Sequence, residues 1–337
     1  MKNNLNRLLK YNIFLCLLHL ILSSELNSTI KPVIGVLCNP FPFDSNTTNV
    51  SSIYNSDLKW LNFSNFKILP IYYNYSESML KKIIPKLNGI LFQSGDRNVV
   101  NNNGVFEKTF FAVTDLAIKY KVPSIFICQG FQMLHNYYNK SLYYKGENNR
   151  INHILETTNS KNYSTSGVKL DLKNLKKYNT FKYFSNYDIC KIFFNKKRHS
   201  TLHNHNYSIK PDLYNNVKSI RNNLAITSYA LDQDNKLFVN SVESKNFKEV
   251  PFMGFQFHPE IATLINDNSF INLKNPYNSQ VGYKILLAFK HVVEKHLKKS
   301  KCKFSSEEEK LYAIIDNIYK LKDFEINNKH LFYYSNK

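Results

Sequence analysis

Glycine and proline are scarce in this chain. Nine Gly and ten Pro in 337 residues exclude collagen-like and Pro/Gly-rich low-complexity architectures. Five Cys are too few for a disulfide-dense mini-scaffold at this length. No repeat recurs at a solenoid or propeller period. CxxC and HExxH spacings are absent, so the sequence carries no metal signature, and neither a metal nor a cofactor is expected. Arginine is also scarce: nearly all of the 45 Lys+Arg are Lys. Nucleic-acid readers favour Arg for bidentate contacts, so no nucleic-acid partner is expected. What the chain does have is 43% apolar residues, enough for a real core in one large α/β domain with additions or in two average domains. The formal charge of +20 reads either as attraction for an anionic partner or as drift of a Lys/Asn-skewed composition.

The amino terminus has a basic stretch (Lys2, Arg7, Lys10), an apolar run over residues 13–22 broken by His19, and then Ser23 and Ser24. This pattern predicts a secretory signal over residues 1–24. The apolar run is short for a bilayer span and no later segment is longer. The expectation is a soluble protein of the secretory route, lysosomal, vacuolar or extracellular, with no stable membrane insertion once the signal is cleaved. Sequons at Asn27, Asn46, Asn49, Asn62, Asn74, Asn139, Asn162 and Asn206 agree with that route, although an Asn-rich chain makes such triplets by chance. Loss of Cys16 with the signal leaves Cys38, Cys128, Cys190 and Cys302. Reserving one as a nucleophile leaves an odd number, which favours free thiols over full pairing.

After the signal, apolar β-branched runs and helical periodicities alternate. Strands are expected at residues 31–38, 68–73, 89–96 and 122–128. Helices are expected over 77–87, with Pro85 ending or kinking it, over 106–120, and from 129 onward. This alternation predicts a mostly parallel sheet flanked by helices. Residues 40–60 read as a loop and 139–166 as a polar excursion. A small antiparallel hairpin is expected at 224–242 around the polar DQDNK turn, then a strand at 251–257 and a helix at 281–297. The division expected is a domain over 30–298 and a C-terminal helical extension over 299–337, with an amphipathic helix at 300–322 and a frayed last fifteen residues.

Three pieces carry chemistry. Cys128 sits between a buried strand and a helix that opens with Gln129 and Gly130, on a tight turn where unpaired N–H groups and the helix dipole favour a thiolate. Taken alone it also reads as a buried structural Cys. His258-Pro259-Glu260 follows the strand at 251–257. Residues two apart on extended backbone point to the same side, so Glu260 can hold one nitrogen of the His258 ring while the other faces a thiol. A Cys, a His and an orienting carboxylate form an activated sulfur nucleophile. The third piece is the loop Gln93-Ser94-Gly95-Asp96, whose Gly95 lets backbone N–H groups turn toward an oxyanion. It lies one βα unit before Cys128, which brings the carboxyl ends of two strands side by side.

Together these segments resemble the class I glutamine amidotransferase-like family, and more narrowly its γ-glutamyl hydrolases. The resemblance rests on KPVIGVLC, ILPIYYNYSESMLKKIIPKLNGILFQSGD, VPSIFICQGFQML, HNHNYSI and MGFQFHPE, in collinear order over residues 31–297. It implies a Cys128, His258 and Glu260 triad, oxyanion donors at Gly95 and Gln129, and substrate contacts from His205, Gln132, Gly130 and Ser94. It further implies a small γ-glutamyl substrate such as a folate polyglutamate, no cofactor, and a possible homodimer. The chain departs from the family pattern at Phe126, where the elbow usually has Gly, and at Gln93-Ser94, where Pro-Gly is usual. Gln132 stands where hydrolases carry Glu and amidotransferases carry Gln. Two other readings stay open: a glutaminase subunit, and a non-catalytic binding protein on the same fold.

Overall fold

The computed structural model describes residues 31–40, 50–95, 104–139, 155–165, 169–170, 175–186, 188–189, 200–263, 280–300, 303–312, 314–316, 324–326 and 329–335. The expected signal at 1–24 lies outside the described residues, as do Asp96, Cys16, Cys190 and Cys302.

The first half runs β1 (Val33–Leu37), β2 (Asn39–Pro40), β3 (Val50–Tyr54), α1 (Asn55–Phe63), β4 (Lys67–Ile71), α2 (Glu77–Ile83), β5 (Gly89–Phe92), α3 (Val105–Tyr120), β6 (Ser124–Ile127) and α4 (Gln129–Tyr138). The second half adds β7 (Leu155–Thr165), β8 (Lys169–Leu170), β9 (Thr201–Ile209), α5 (Leu213–Asn216), α6 (Lys218–Asn223), β10 (Leu224–Leu231), β11 (Leu237–Ser244) and β12 (Phe252–Phe255). A 3-10 turn (Pro259–Thr263), α7 (Gln280–Lys299), α8 (Ser306–Leu311), β13 (Phe324–Ile326) and β14 (Lys329–Ser335) complete it.

An eight-stranded sheet in the order β4-β1-β5-β6-β12-β11-β10-β8 organises these elements. Strands β4, β1, β5, β6 and β12 are parallel, and β11, β10 and β8 continue the sheet antiparallel. Both faces are covered, so the parallel strands are mostly apolar, with Lys67 and Ser124 at the starts of β4 and β6. Alternation decides which core each residue joins. On β6, Phe126 packs with Phe92, Phe110 and Phe131, while Ile125 and Ile127 join Trp60, Leu91, Phe255 and Phe289 on the opposite face. Ser76 caps α2 by accepting from the Met79 amide at 3.3 Å, and Pro85 falls in the 3-10 turn that ends the helix, as expected.

Three expectations need correction. Residues 40–60 are not a loop throughout: β3 lies within them and α1 begins there. Within the polar 139–166 segment, β7 pairs antiparallel with β9. The C-terminal extension is only partly helical. Among the described residues of 300–322 the helical part is the short α8, held by a Ser305/Glu308 capping box and by Glu309 on Lys67 at 2.7 Å. The residues expected to fray form β13 and β14, and β14 pairs antiparallel with β3. Of the sequons, Asn206 is exposed whereas Asn139 is buried. Among the described residues, no helix is long and apolar enough to cross a membrane.

Candidate active site

Three neighbouring parallel strands, β5, β6 and β12, end at one rim. The residues that follow them are Gln93–Gly95, Cys128 and Gln256–His258. Open α/β sheets place their ligands at this carboxyl edge.

Cys128 links β6 to α4 with φ 49° and ψ −101°. A non-glycine residue at positive φ is strained and persists only where its surroundings fix it. The Cys128 amide donates to the Phe255 carbonyl at 2.8 Å, and the Cys128 carbonyl accepts from the Gln132 amide at 3.0 Å. Gly130 permits the turn, because a Cβ there would run into the Phe92 carbonyl oxygen. Phe126, two residues before Cys128, stacks on Phe92 at 4.2 Å and meets Phe252 at 5.0 Å. The missing elbow glycine is thus accommodated by a cluster of aromatic rings.

His258 stands beyond β12, its amide donating to the Leu202 carbonyl of β9 at 2.9 Å. Its Nδ1 meets Glu260 Oε1 at 2.7 Å. Among the described residues its buried Nε2 has no hydrogen-bond partner. Burial alone would lower the proton affinity of the ring. Glu260 and the Cys128 thiol together carry it well above the ordinary histidine value. The structure therefore brings Cys128, His258 and Glu260 into one cluster, with the imidazole between the carboxylate and the sulfur.

Gly95 lies directly against the Gln129 side chain: a Cβ there would stand 2.9 Å from Gln129 Cδ and 3.0 Å from Asn39 Nδ2. The Ser94 carbonyl accepts from Asn39 Nδ2 at 2.7 Å. Gln93, where proline would supply no side-chain bonds, ties the loop down. It donates to the Leu37 and Ser52 carbonyls at 3.0 and 2.8 Å and accepts from the Tyr54 amide at 3.0 Å. Gln132 reaches across to the Tyr207 carbonyl at 2.8 Å and to Gln256 Oε1 at 3.2 Å. His205 is buried on β9, its Nε2 3.0 Å from His203 Nδ1. Burial and the nearby His258 push its proton affinity down to about 3. His203 lies well below the ordinary value through burial and its neighbours His205 and His258.

Sequence reasoning missed three residues of this neighbourhood. Gln256, two positions before His258 in the bend that follows β12, places its Nε2 3.8 Å from Cys128 Sγ. The extended backbone expected to align His258 with Glu260 is replaced by the 3-10 turn Pro259–Thr263, which brings Glu260 to the His258 ring. His203, likewise two before His205, bonds Thr201 Oγ1 at 3.0 Å through its other ring nitrogen. Asp57, on α1, is wholly buried and interacts electrostatically with both Glu260 and His258. It was hidden in a stretch too polar to read as core. Among the described residues, no cluster of His, Cys, Asp or Glu has the makings of a metal site.

Comparison with known proteins gives the family. The profile of the glutamine amidotransferase class-I family matches residues 62–274. Probable gamma-glutamyl hydrolase 3 of Arabidopsis thaliana is 26% identical over 260 residues, 71% of this chain and 66% of the plant protein, just under two thirds of its length. Gamma-glutamyl hydrolase B of Dictyostelium discoideum is 23% identical over 339 residues, 94% of this chain and 87% of its own. Among solved structures, the glutaminase domain of Trypanosoma brucei CTPS with bound acivicin superposes with a TM-score of 0.48 at 15% identity, covering 82% of this chain and 98% of that one. With a profile match over more than half its length, this chain belongs to the class-I glutamine amidotransferase family.

Proposed function

We propose that the chain is a cysteine-dependent hydrolase of γ-glutamyl amide bonds, acting on poly-γ-glutamates such as those of folates. The observation that carries the reading is the His258 ring, bound to Glu260 through Nδ1 while its buried Nε2 is left for the Cys128 sulfur. In this mechanism His258 holds the thiol proton and the Cys128 thiolate attacks the γ-carbonyl carbon. Backbone N–H groups of Gly95 and Gln129 stabilise the tetrahedral oxyanion. Collapse breaks the C–N bond, the leaving nitrogen takes the proton from His258, and a thioester remains. The now neutral His258 draws a proton from water, the hydroxide adds to the thioester, and collapse releases the γ-carboxyl product and restores the thiolate–imidazolium pair. Glu260 fixes the ring tautomer and stabilises its charge throughout. His205, Gln132, Gly130 and Ser94 border this centre as the proposed substrate contacts. A secretory route, with an endpoint in the lysosome or vacuole or outside the cell, and a homodimer belong to the same proposal.

Gln132 favours a glutaminase instead, because amidotransferases carry Gln there. One assay separates the two. Purified protein is given pteroyl-polyglutamate and, separately, free glutamine, with products resolved by chain length and by ammonia release. Glutamate or shortened polyglutamate from the first substrate alone is expected. Cys128→Ala should lower that rate by at least about 10²–10³-fold, the loss typical of a single oxyanion donor. Ammonia from glutamine without cleavage of the γ-linked chain would overturn the proposal in favour of a glutaminase.

A further inference from the structure

The mechanism above leaves one buried acid near the centre unused. Asp57 is wholly buried on α1, and among the described residues neither of its carboxyl oxygens has a hydrogen-bond partner. Helix α1 packs on the 3-10 turn that carries Glu260. Helix α7 closes on that turn as well, since a Cβ at Gly282 would stand 2.5 Å from Ala262 Cβ. Trp60 Nε1 of α1 donates to the Gly282 carbonyl at 3.2 Å and ties the two helices together. Asp57 thereby sits on a helix packed against the turn that carries Glu260.

A buried carboxylate without donors costs several kcal/mol, and two carboxylates in one buried region cost more. The cluster contains one imidazolium, His258, which already faces both Glu260 and Cys128. Burial and repulsion by Glu260 raise the proton affinity of Asp57 well above the carboxylate range, and His258 offsets this only in part. The acid therefore keeps its proton, and a neutral carboxyl has one O–H to give. The carboxyl group on the turn against which α1 packs is that of Glu260.

We propose that Asp57 is a positioning residue for the Cys128, His258 and Glu260 centre, a neutral acid that donates its O–H to Glu260 and holds that carboxylate ionised and aimed at His258 Nδ1. The inference rests on the cysteine-dependent reading of the centre, but its test reads the thiol directly and needs no substrate. The titratable groups that face this chain are Glu260 and His258 beyond β12, Cys128 at the elbow, and His203 and His205 on β9.

The experiment measures iodoacetamide alkylation of Cys128 by peptide mass spectrometry, from acid to alkaline pH, in the full chain and in Asp57→Asn and Asp57→Leu. The amide of Asp57→Asn keeps a neutral donor, so its pH profile should overlay that of the wild type. Asp57→Leu has no donor, and its profile should move by roughly half to one pH unit. In the hydrolysis assay the Leu variant should lose about tenfold in kcat with KM unchanged. Equal displacement in both variants would overturn the proposal, because charge and not donation would then be the active property. Unmoved profiles in both would also overturn it, leaving Asp57 a space filler. Should the Leu variant not fold, the infrared difference between wild type and Asp57→Asn decides: the band of a protonated carboxyl should be lost in the variant, and its absence from the wild type would sink the idea. A wild type that alkylates with the expected profile but cleaves no γ-glutamyl bond would count against the substrate reading alone.

Discussion

A methyl group at Gly130 would collide with the Phe92 carbonyl oxygen and stand 3.0 Å from the carbonyl carbon. Both partners are backbone, so no side-chain rotation relieves the contact. The start of α4 would have to lift away from β5, and Cys128 sits at that start with its strained φ. Gly130→Ala should cost about 1–3 kcal/mol of stability, the usual range for overpacking. It should lower alkylation of Cys128 more than global unfolding explains. Chemical denaturation beside the alkylation rate tests this; a variant with wild-type stability and thiol reactivity would show that the close approach is not needed. The contrast with Phe126 is informative. A large residue is tolerated two positions before Cys128 because its ring enters the core, whereas a single carbon is not tolerated two positions after it.

Elements differ in how far the sequence could reveal them. The βα alternation was legible because each parallel strand is buried on both faces: Ile125, Phe126 and Ile127 are an unbroken apolar run, followed at once by the helical spacing of Phe131, Leu134 and Tyr138. The Cys128 and His258-Pro259-Glu260 positions were legible for the same reason, each lying at the end of such a run. Strand β3 and helix α1 were not legible, because they bury Ser51, Ser52, Asn55 and Asp57. The Ser52 hydroxyl donates to the Asn39 carbonyl at 3.3 Å while its carbonyl accepts from the Gln93 side chain of a distant loop, and hydropathy cannot register polar groups whose partners lie elsewhere in the fold. The C-terminal strands escaped notice because β14 pairs with β3, a contact between the two ends of the domain. Glu243 shows how firmly such polar contacts hold an element. Its buried carboxylate on β11 accepts from the Asn179 amide and Nδ2 at 2.9 and 3.0 Å and from the Thr180 amide and Oγ1 at 2.8 and 2.9 Å. Glu243→Ala strands these donors and should destabilise the protein by about 3 kcal/mol, measured by urea unfolding. A change within the error of that measurement would mean the 175–186 segment is anchored some other way.

Across the whole molecule, buried histidines set the response to acid. His135 is wholly buried: its Nδ1 donates to the Phe131 carbonyl at 2.8 Å and its Nε2 meets the Tyr214 hydroxyl at 2.7 Å. Burial pushes its proton affinity down to about 4, only partly offset by the bond to Phe131. Unfolded, the ring titrates near its ordinary value, about 6.5. Between these values the unfolded chain binds one more proton than the folded one, so stability falls as pH drops through that window. His203 and His205, depressed by burial, act in the same direction. His258 acts oppositely: its raised affinity contributes stability that is complete below the ordinary histidine value and is lost as pH rises through the folded value. These three histidines weaken the fold on acidification, while His258 and the protonated Asp57, both with raised affinities, work against them. His135→Gln isolates one contribution, because the amide can replace both ring bonds but does not titrate. Urea unfolding of wild type and variant should show the wild type losing about 2 kcal/mol more than the variant between about pH 7 and pH 5. Parallel curves would mean that His135 is already protonated in the folded state, and that Tyr214 has turned its hydroxyl to accept.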